Sequence, residues 1–275
     1  MRNEIAVYID KVRVEYPIAG QAPRSILNGI SLEIESGEFV AIVGETGCGK
    51  STLLRLILGE EKPTRGRLLV NGYERSQPDR SCGYVPQKYS LFPDKTVLDN
   101  VTFGLEVTSF GAWPGARWVH PKQMRRFREE ALLYLRHTGL DESDARKYPH
   151  QLSGGMQQRV AIAQALIMKP PILLMDEAFS ALDPATRTGM QRLIKTLWRE
   201  SGTTIVFVTH NTREAVCLGT RIIALSKDGD GARGSSIALD LAVPDLDFDS
   251  EESDIGDLVR EVESAAVRER PLVYN

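Results

Sequence analysis

A glycine-rich segment between an apolar run and a helix-like stretch narrows the choice of fold for this chain. It consists of Gly44, Glu45, Thr46, Gly47, Cys48, Gly49, Lys50, Ser51 and Thr52. The segment satisfies the pattern G-x-x-x-x-G-K-[ST], and residues 39–43 and 51–58 supply the strand and the helix that this pattern requires. In such a P-loop, glycines permit a tight turn whose backbone N–H groups converge on phosphates. We expect Lys50 to contact the β- and γ-phosphates of a nucleotide and Ser51 to coordinate Mg²⁺.

A pair of acids follows a second apolar run. Asp176 and Glu177 come directly after residues 172–175, which we interpret as a buried strand. A P-loop works with an acid at the end of such a strand, which holds Mg²⁺. A carboxylate one residue further is placed to orient and partly deprotonate an attacking water. We therefore expect Asp176 to be a metal ligand and Glu177 to be the general base, which favours nucleotide hydrolysis over binding alone.

The periodicity of apolar residues predicts an α/β domain with two additions. Alternation through residues 5–34 predicts strands with one buried face, and residues 39–43 read as a strand that is buried on both faces. From Lys95 to Arg146 the spacing changes to three and four, which predicts a helical insertion. After Val160, strand-like and helix-like stretches alternate as in a parallel sheet. We expect a P-loop NTPase (RecA-like) core with an antiparallel β subdomain and an inserted α-helical subdomain.

Composition excludes several functional classes. The net charge of −3 gives no support to a broad nucleic-acid surface. The apolar runs are far shorter than the ~18 residues of a membrane span, and the N-terminus lacks the apolar region of a signal peptide, so we expect a cytoplasmic location. Cys48, Cys82 and Cys217 show no paired spacing, which favours reduced thiols over a disulfide or a zinc site.

The last part of the chain changes in character. Eight acids and no Lys or Arg lie between Asp240 and Asp257, which predicts a solvated linker. Beyond them, Ile255, Leu258 and Val262 keep helical spacing, which predicts a short docked helix. We place the ATPase domain at residues 1–240, with its core at 1–94 and 156–240 and its helical subdomain at 95–155. The acidic tail is then 241–275.

Several further motifs carry a resemblance to one family. Residues 152–159, Leu-Ser-Gly-Gly-Met-Gln-Gln-Arg, resemble the signature motif of ATP-binding cassette (ABC) ATPases. Gln87 resembles the glutamine of the Q-loop, residues 180–183 resemble the D-loop, and His210 resembles the switch histidine. Tyr16 is placed like the aromatic residue that stacks on adenine, although Tyr16 could simply pack against the sheet and Tyr8 is a nearby competitor.

The resemblance implies a head-to-tail dimer in which Ser153 and Gly155 of one copy complete the ATP site of the other. The motifs and the resemblance together assign contacts with ATP to Tyr16, Gly44, Glu45, Thr46, Gly47, Cys48, Gly49, Lys50, Ser51, Thr52, Gln87, Ser153, Gly154, Gly155, Asp183 and His210. They assign catalytic roles to Glu177, His210, Lys50 and Gln87. They assign the coordination of Mg²⁺ to Ser51, Gln87 and Asp176.

The resemblance also implies a role in transport. Translation-factor cassettes carry two P-loops, DNA-repair cassettes insert a long coiled coil, and exporters commonly fuse the membrane span to the ATPase. The remaining class is the separate ATPase subunit of an importer, at the cytoplasmic face of the membrane, with permease subunits and indirectly a solute-binding protein as partners and without nucleic acid. Residues 87–93, 96–101 and 209–215 are similar to the nitrate, sulfonate, taurine and bicarbonate importer group, including members associated with urea or related nitrogen compounds. Residues 178–183 are also similar to a betaine-importer branch, and the alternative to transport is a soluble regulatory or assembly factor.

Overall fold

The computed structural model describes residues 4–20, 22–75, 77–111, 119–227, 233–246, 248 and 252–266. The strands are β1 Ile5–Tyr16, β2 Arg24–Glu35, β3 Phe39–Gly44, β4 Arg65–Val70, β5 Tyr73–Glu74, β6 Cys82–Val85, β7 Ile172–Asp176, β8 Thr204–Val208, β9 Arg221–Lys227 and β10 Ser235–Ala242. The helices are α1 Lys50–Leu58, α2 Val97–Phe110, α3 Pro121–His137, α4 Gly154–Leu166, α5 Pro184–Ser201, α6 Thr212–Leu218 and α7 Glu252–Ala266. Two short 3₁₀ helices, Asp144–Arg146 and Pro149–Gln151, precede α4.

The ten described strands form one mixed sheet in the order β5-β4-β1-β2-β10-β9-β3-β8-β7-β6. From β9 to β6, neighbouring strands pair in parallel. On the other side, β1 pairs antiparallel with β2 and with β4, and β10 pairs antiparallel with β9. The sheet therefore joins a parallel P-loop core to an antiparallel β part, as the sequence predicts.

Strand β3 lies inside the parallel core, between β9 and β8, and helices cover both of its faces. Val40 and Ile42 join a cluster with Leu53 and Ile57 of α1. Phe39, Ala41 and Val43 point to the other face and join a second cluster, which includes residues of α5 and α6. This arrangement explains the uninterrupted apolar run of β3, because successive side chains of a strand point to opposite faces and here both faces are buried.

The inserted helices α2 and α3 pack with α4 around a third cluster of buried residues. Val101 of α2, Ala131 and Leu135 of α3, and Val160 of α4 contribute to it. Asn100, which is fully buried, donates to the carbonyls of Phe92, Lys95 and Thr96 and accepts from the Phe92 N–H. This amide fixes the turn that leads from the sheet into the insertion.

The acidic stretch that begins in β10 at Asp240 and the helix that follows it test two predictions. Helix α7 packs on α6 and β9 with Ile255 and Val262 fully buried, so the predicted docked helix is confirmed. The prediction of a solvated linker is wrong for Asp240 and Asp245, which form ion pairs with Arg221 and with Lys195 and Arg199, respectively. These acids are the counter-ions of cations on β9 and α5, and the acidic sequence gives no sign of this pairing.

The described helices were also compared with the requirements of a membrane span. None of them combines the length and the apolar character that crossing a bilayer needs.

Candidate active site

The P-loop connects the end of β3 with the start of α1, and its glycines are needed for steric reasons. Gly44 has φ 150°, and a Cβ there would lie 2.4 Å from the carbonyl oxygen of Leu225. Gly49 has φ 95°, and a Cβ there would lie 2.6 Å from a methyl group of Leu27. Gly49 caps α1 without a side-chain bond, and the first turn carries no acid. The first N–H groups of α1 are therefore available to an anion.

Lys50 lies inside this loop rather than on the surface. It is only 6% exposed, and its Nζ donates to the carbonyl oxygens of Gly44 at 2.7 Å and Glu45 at 2.9 Å. Within the described part of the chain, Lys50 forms no ion pair with a carboxylate. Its ammonium group is therefore held inside the loop by main-chain carbonyls, without a direct ion pair.

Asp176, the last residue of β7, is a buried carboxylate beside the P-loop. It is 5% exposed, and its Oδ1 is buried without a hydrogen-bond partner. Burial raises the pKa of Asp176 and the charge of Glu177 adds to this rise, whereas a hydrogen bond with the Ser51 side chain and the charge of Lys50 oppose it. An unsatisfied carboxylate oxygen next to a hydroxyl is a donor set that fits Mg²⁺, which prefers oxygen ligands.

Glu177, Gln87 and His210 meet through one carboxylate oxygen. Oε2 of Glu177 accepts from Nε2 of Gln87 at 2.7 Å and lies 3.4 Å from Nδ1 of His210. Glu177 has φ 46°, in the left-handed region that non-glycine residues seldom adopt. The Glu177 N–H donates to the Val208 carbonyl and the Ser180 N–H donates to the Glu177 carbonyl, so the surrounding chain holds this strained conformation.

Tyr16, the predicted adenine contact, lies beside the P-loop helix α1. The Tyr16 hydroxyl donates to Glu61, which follows α1, and also bonds to the side chain of Thr52. Burial and then the hydrogen bond to Glu61 raise the pKa of Tyr16. Tyr8 lies eight residues earlier, inside β1, where it pairs with Glu33 and Leu69. Of the two tyrosines, Tyr16 is therefore the one that contacts the P-loop helix.

The signature residues form a separate site on the same chain. Ser153 caps α4, and its Oγ accepts from the Met156 N–H at 3.3 Å. The nearest neighbours of the Cβ positions of Gly154 and Gly155 belong to Tyr89, Ala181 and Leu182, whereas those of the P-loop glycines belong largely to Leu27, Leu225 and Lys227. These contacts give the signature and the P-loop different surroundings. The structure therefore does not bring them together within one chain.

Asp183 ends the loop between β7 and α5 and acts there as a helix cap. Its Oδ1 accepts from the Thr186 N–H at 3.1 Å, and hydrogen bonds from Thr186 lower the pKa of Asp183. The residue is exposed. Its contacts within the chain are thus those of a capping residue, and a contact with ATP stays a prediction.

A sequence model described as ABC transporter matches residues 27–180, which is more than half of the chain. The chain belongs to this family. The aliphatic sulfonates import ATP-binding protein SsuB of Pseudomonas putida is 43% identical over 80% of this chain and 74% of its own length. The sulfate/thiosulfate import ATP-binding protein CysA of Mesorhizobium japonicum is 42% identical over 73% of this chain and 56% of its own length.

Solved structures of ABC cassettes share the fold. A dimeric structure of the bacterial ABC transporter cassette MJ0796 is 35% identical, has a TM-score of 0.74, and covers 86% of this chain and 99% of its own. A second dimeric structure of MJ0796, in a post-hydrolysis state bound to ADP and Pi, has the same values. The predicted family and fold are therefore confirmed, and the chain is an ATP-binding ABC ATPase.

One residue beside the P-loop of the candidate site was not indicated by any sequence pattern. Lys227, the last residue of β9, donates from Nζ to the Thr46 carbonyl at 3.3 Å. It also lies 3.9 Å from the Cβ position of Gly47. Because β9 pairs with β3, its end lies beside the P-loop, and this adjacency of strands distant in sequence is what places the cation there.

Proposed function

We propose that this chain is the ATPase subunit of a membrane importer and that it works at the cytoplasmic face of the membrane. The importer role rests on relatives such as SsuB and CysA, whose names describe ATP-binding proteins of import systems. Two copies close head to tail around two ATP molecules, and hydrolysis reopens them. The dimeric MJ0796 cassettes support this arrangement.

The observation that carries the proposed hydrolysis is the shared oxygen of Glu177. Gln87 and His210 converge on it, and the adjacent Asp176 bonds to Ser51 of the P-loop. Glu177 orients the attacking water and takes its proton, while His210 fixes the γ-phosphate in line. Gln87 senses the γ-phosphate from the loop that leads into the helical insertion.

The P-loop supplies the phosphate contacts in this proposal. The N–H groups of residues 44–52 cradle the phosphates, Lys50 neutralises the charge that develops in the transition state, and Tyr16 stacks on adenine. Ser51, Asp176 and Gln87 are the residues that would hold Mg²⁺, and the ion when bound would supply further positive charge to the phosphates.

The signature residues contribute to the partner's site. Ser153 and Gly154 are exposed at the N-terminus of α4, and Asp183 is exposed at the end of the loop that lies beside Gly155. A helix N-terminus with free N–H groups attracts phosphate. Each γ-phosphate then bridges the P-loop of one copy and Ser153, Gly154 and Gly155 of the other, so ATP favours the closed dimer by its greater affinity for that state.

The general base is tested by Glu177→Gln. We expect turnover to fall by about 10²- to 10⁴-fold, the usual contribution of a positioned base, with ATP binding retained. The variant should also accumulate an ATP-dependent dimer, which size-exclusion chromatography with light scattering measures. Glu129→Gln, on the exposed face of α3, is the matched control and should behave like the unaltered protein. Near-normal turnover in Glu177→Gln would contradict the assignment of the base.

The permease partner fits a cleft between the sheet edge and the helical insertion. The cleft has a volume of about 1150 Å³, and its lining includes Tyr84 and Pro86 from the sheet and Phe103, Gly104 and Ala161 from the helices. Because Pro86 directly precedes Gln87, a permease helix seated here would lie next to the proposed γ-phosphate sensor. This position supports coupling between the ATP site and the membrane partner.

Docking in this cleft predicts a selective defect. Phe103→Asp should abolish co-purification with the permease that its neighbouring genes encode, with basal ATP turnover unchanged. Tyr73→Asp, which alters an exposed aromatic residue on β5, should leave co-purification intact. The solute is then found by measuring which nitrate, sulfonate, sulfate or urea-like compound stimulates turnover of the complex. Turnover that no permease alters would favour the soluble regulatory alternative.

A further inference from the structure

Glu214, in the first turn of α6, lies four residues after His210 and holds the segment that carries this histidine. Its Oε2 accepts from Oγ1 of Thr209 at 2.7 Å. Its backbone N–H donates to Oδ1 of Asn211 at 3.1 Å. The residues on both sides of His210 are therefore attached to Glu214, one through its carboxylate and the other through its main chain.

The carboxylate of Glu214 is also attached to α5. Its Oε1 accepts from Nε2 of Gln191 at 3.0 Å and lies 3.9 Å from Nε of Arg187. Gln191 is 3% exposed and the Glu214 side chain 12%, so these groups have little access to water. A polar network in such surroundings has defined geometry, because each buried group that loses its partner costs free energy.

Arg187 extends the network to the loop that follows the general base. Its guanidinium donates from Nε to the Phe179 carbonyl at 3.2 Å and from Nη2 to the Leu182 carbonyl at 3.0 Å. This loop begins directly after Glu177 and lies beside the signature glycine Gly155, where a Cβ would be 3.6 Å from Leu182. One guanidinium therefore connects the loop behind the general base with the carboxylate that holds the histidine segment.

Thr209 completes the connection to the P-loop strand. It is 2% exposed, and its N–H donates to the carbonyl of Ile42, two residues before the P-loop begins at Gly44. The hydroxyl of Thr209 also accepts from the Asn211 N–H at 3.0 Å. Thr209 is thus fixed between β3 and Glu214, and the position of His210 depends on both.

We propose that Glu214 is a positioning residue, which holds His210 against Glu177 and transmits displacements of loop 179–182 to the histidine through Arg187. The inference rests on the proposed function, in which Glu177 and His210 act on the γ-phosphate. Glu214 itself acts through Thr209, Asn211 and α6. A carboxylate that only stabilised α6 would affect folding without acting through His210, and this difference can be measured.

The first test observes His210 directly by NMR of the histidine side chains. The chain has four histidines, His120, His137, His150 and His210, and the His210 signal is assigned with His210→Gln. Glu214→Ala and the milder Glu214→Gln, which serves if the first variant does not fold, should shift the His210 signal and leave the other three in place. Asp245→Asn, the same kind of change on the other side of α5, should shift none of them. An unmoved His210 signal in a folded Glu214 variant would overturn the proposal.

The second test is a double-mutant cycle in steady-state ATP hydrolysis. We expect Glu214→Ala to lower kcat by about 10- to 100-fold with the KM for ATP changed less than about threefold, and Glu214→Gln to lower kcat less. In the His210→Gln background the further loss should be less than about twofold, because residues that act as a unit are not additive. Fully additive losses would refute positioning through His210. Near-normal turnover of His210→Gln would instead contradict the proposed function, and the NMR result would still decide whether Glu214 positions the histidine.

Discussion

Lys50 and Lys195 are both almost completely buried, at 6% and 2% exposure, but the chain treats the two charges differently. In the described part of the chain, the oxygens that accept hydrogen bonds from Lys50 are main-chain carbonyls of its own loop. Lys195 donates to the carbonyls of Cys217 and Leu246 and also forms an ion pair with Asp245 at 2.9 Å. The first positive charge stays available to an anion, and the second is neutralised within the chain.

The difference separates a candidate binding site from a structural contact between elements. A buried cation without a carboxylate partner costs free energy, and such a residue persists where a ligand uses it. Lys195, by contrast, is a buried cation whose partners are an anion and two carbonyls. It connects elements that are far apart in sequence, namely α5, α6 and the segment that leads to α7. Substitutions at the two lysines should therefore have opposite effects on activity and stability.

The largest effect is expected for Lys50→Met. Loss of this charge should lower ATP turnover by about 10²- to 10³-fold, since the ammonium stabilises charge that develops on the phosphates. The melting temperature without ATP should fall little, because no ion pair is broken and the two carbonyls that lose their donor belong to Gly44 and Glu45, which are not buried. The rise on adding ATP should disappear. Turnover assays and thermal unfolding check both parts, and a large loss of stability would contradict the distinction between the two lysines.

Lys195→Met should lower the stability of the protein and leave ATP turnover nearly unchanged. Its removal leaves two buried carbonyls and Asp245 without their donor, which we expect to cost about 2–3 kcal/mol in the free energy of unfolding, with turnover within about twofold. Urea unfolding at pH 7 measures the loss. Lys169→Met is the matched control, because Lys169 pairs with Glu130 on the surface and such pairs contribute about 0–1 kcal/mol.

Asp176→Asn tests whether the buried carboxylate of Asp176 lowers the stability of the ligand-free protein while it serves to bind Mg²⁺. Replacing a buried carboxylate that has an unpartnered oxygen should raise the stability of the ligand-free protein by about 1 kcal/mol. The same variant should lose the stabilisation that Mg²⁺ with ATP gives to the unaltered protein. Thermal unfolding with and without Mg²⁺ and ATP checks this, and equal stabilisation in both proteins would argue against Asp176 as a ligand.

The smallest effect concerns Asp245 and its dependence on pH. Burial acts to raise the pKa of Asp245, but hydrogen bonds from Lys195 and Arg199 outweigh it and hold the pKa below its ordinary value of 3.8. The folded chain thus binds this proton less tightly than the unfolded chain. The ionised Asp245 therefore stabilises the folded chain. This stabilisation is complete above pH 3.8 and is lost as the pH falls through the lowered pKa of Asp245.

Because the Asp245 side chain is 44% exposed, solvent screening limits that contribution to about 1 kcal/mol or less. Asp245→Asn should therefore be less stable than the unaltered protein at pH 7 and pH 5. The difference should shrink below pH 3.8, as urea unfolding at each pH can measure. A difference that grew towards low pH would contradict the direction of the shift.

Much of the fold could be predicted because the apolar patterns are strong. The run of β3, the spacing of α1 and α3, and the docked helix α7 follow from which faces must be buried, and all four elements are present. The prediction of a solvated linker was wrong at Asp240 and Asp245, because a stretch of acids without basic residues has the sequence pattern of a solvated segment. Their counter-ions lie on β9 and α5, at positions that no local pattern connects with them.

The individual motifs of the candidate site could be predicted from the sequence, but the contacts between them could not. The P-loop and the acids after β7 carry spacing that follows from phosphate and metal chemistry, so sequence predicts them without a fold. The meeting of Gln87, Glu177 and His210 needs β6, β7 and β8 to be neighbours with their carboxyl ends at one edge. Lys227 and Glu214 carry no such spacing, and each reaches its partners only because separate elements pack together.

The amino-acid sequence by itself determined the local chemistry: a glycine loop that can turn around phosphate, a lysine and a serine at its end, and acids behind buried strands. The tertiary structure alone decided which charges remain available and which are neutralised. Lys50 and Lys195 are the same residue type, and both are buried. Only the packing of β10 and the following segment against α5 brings a carboxylate to Lys195, because charge pairing depends on distances in space rather than on neighbours in the chain.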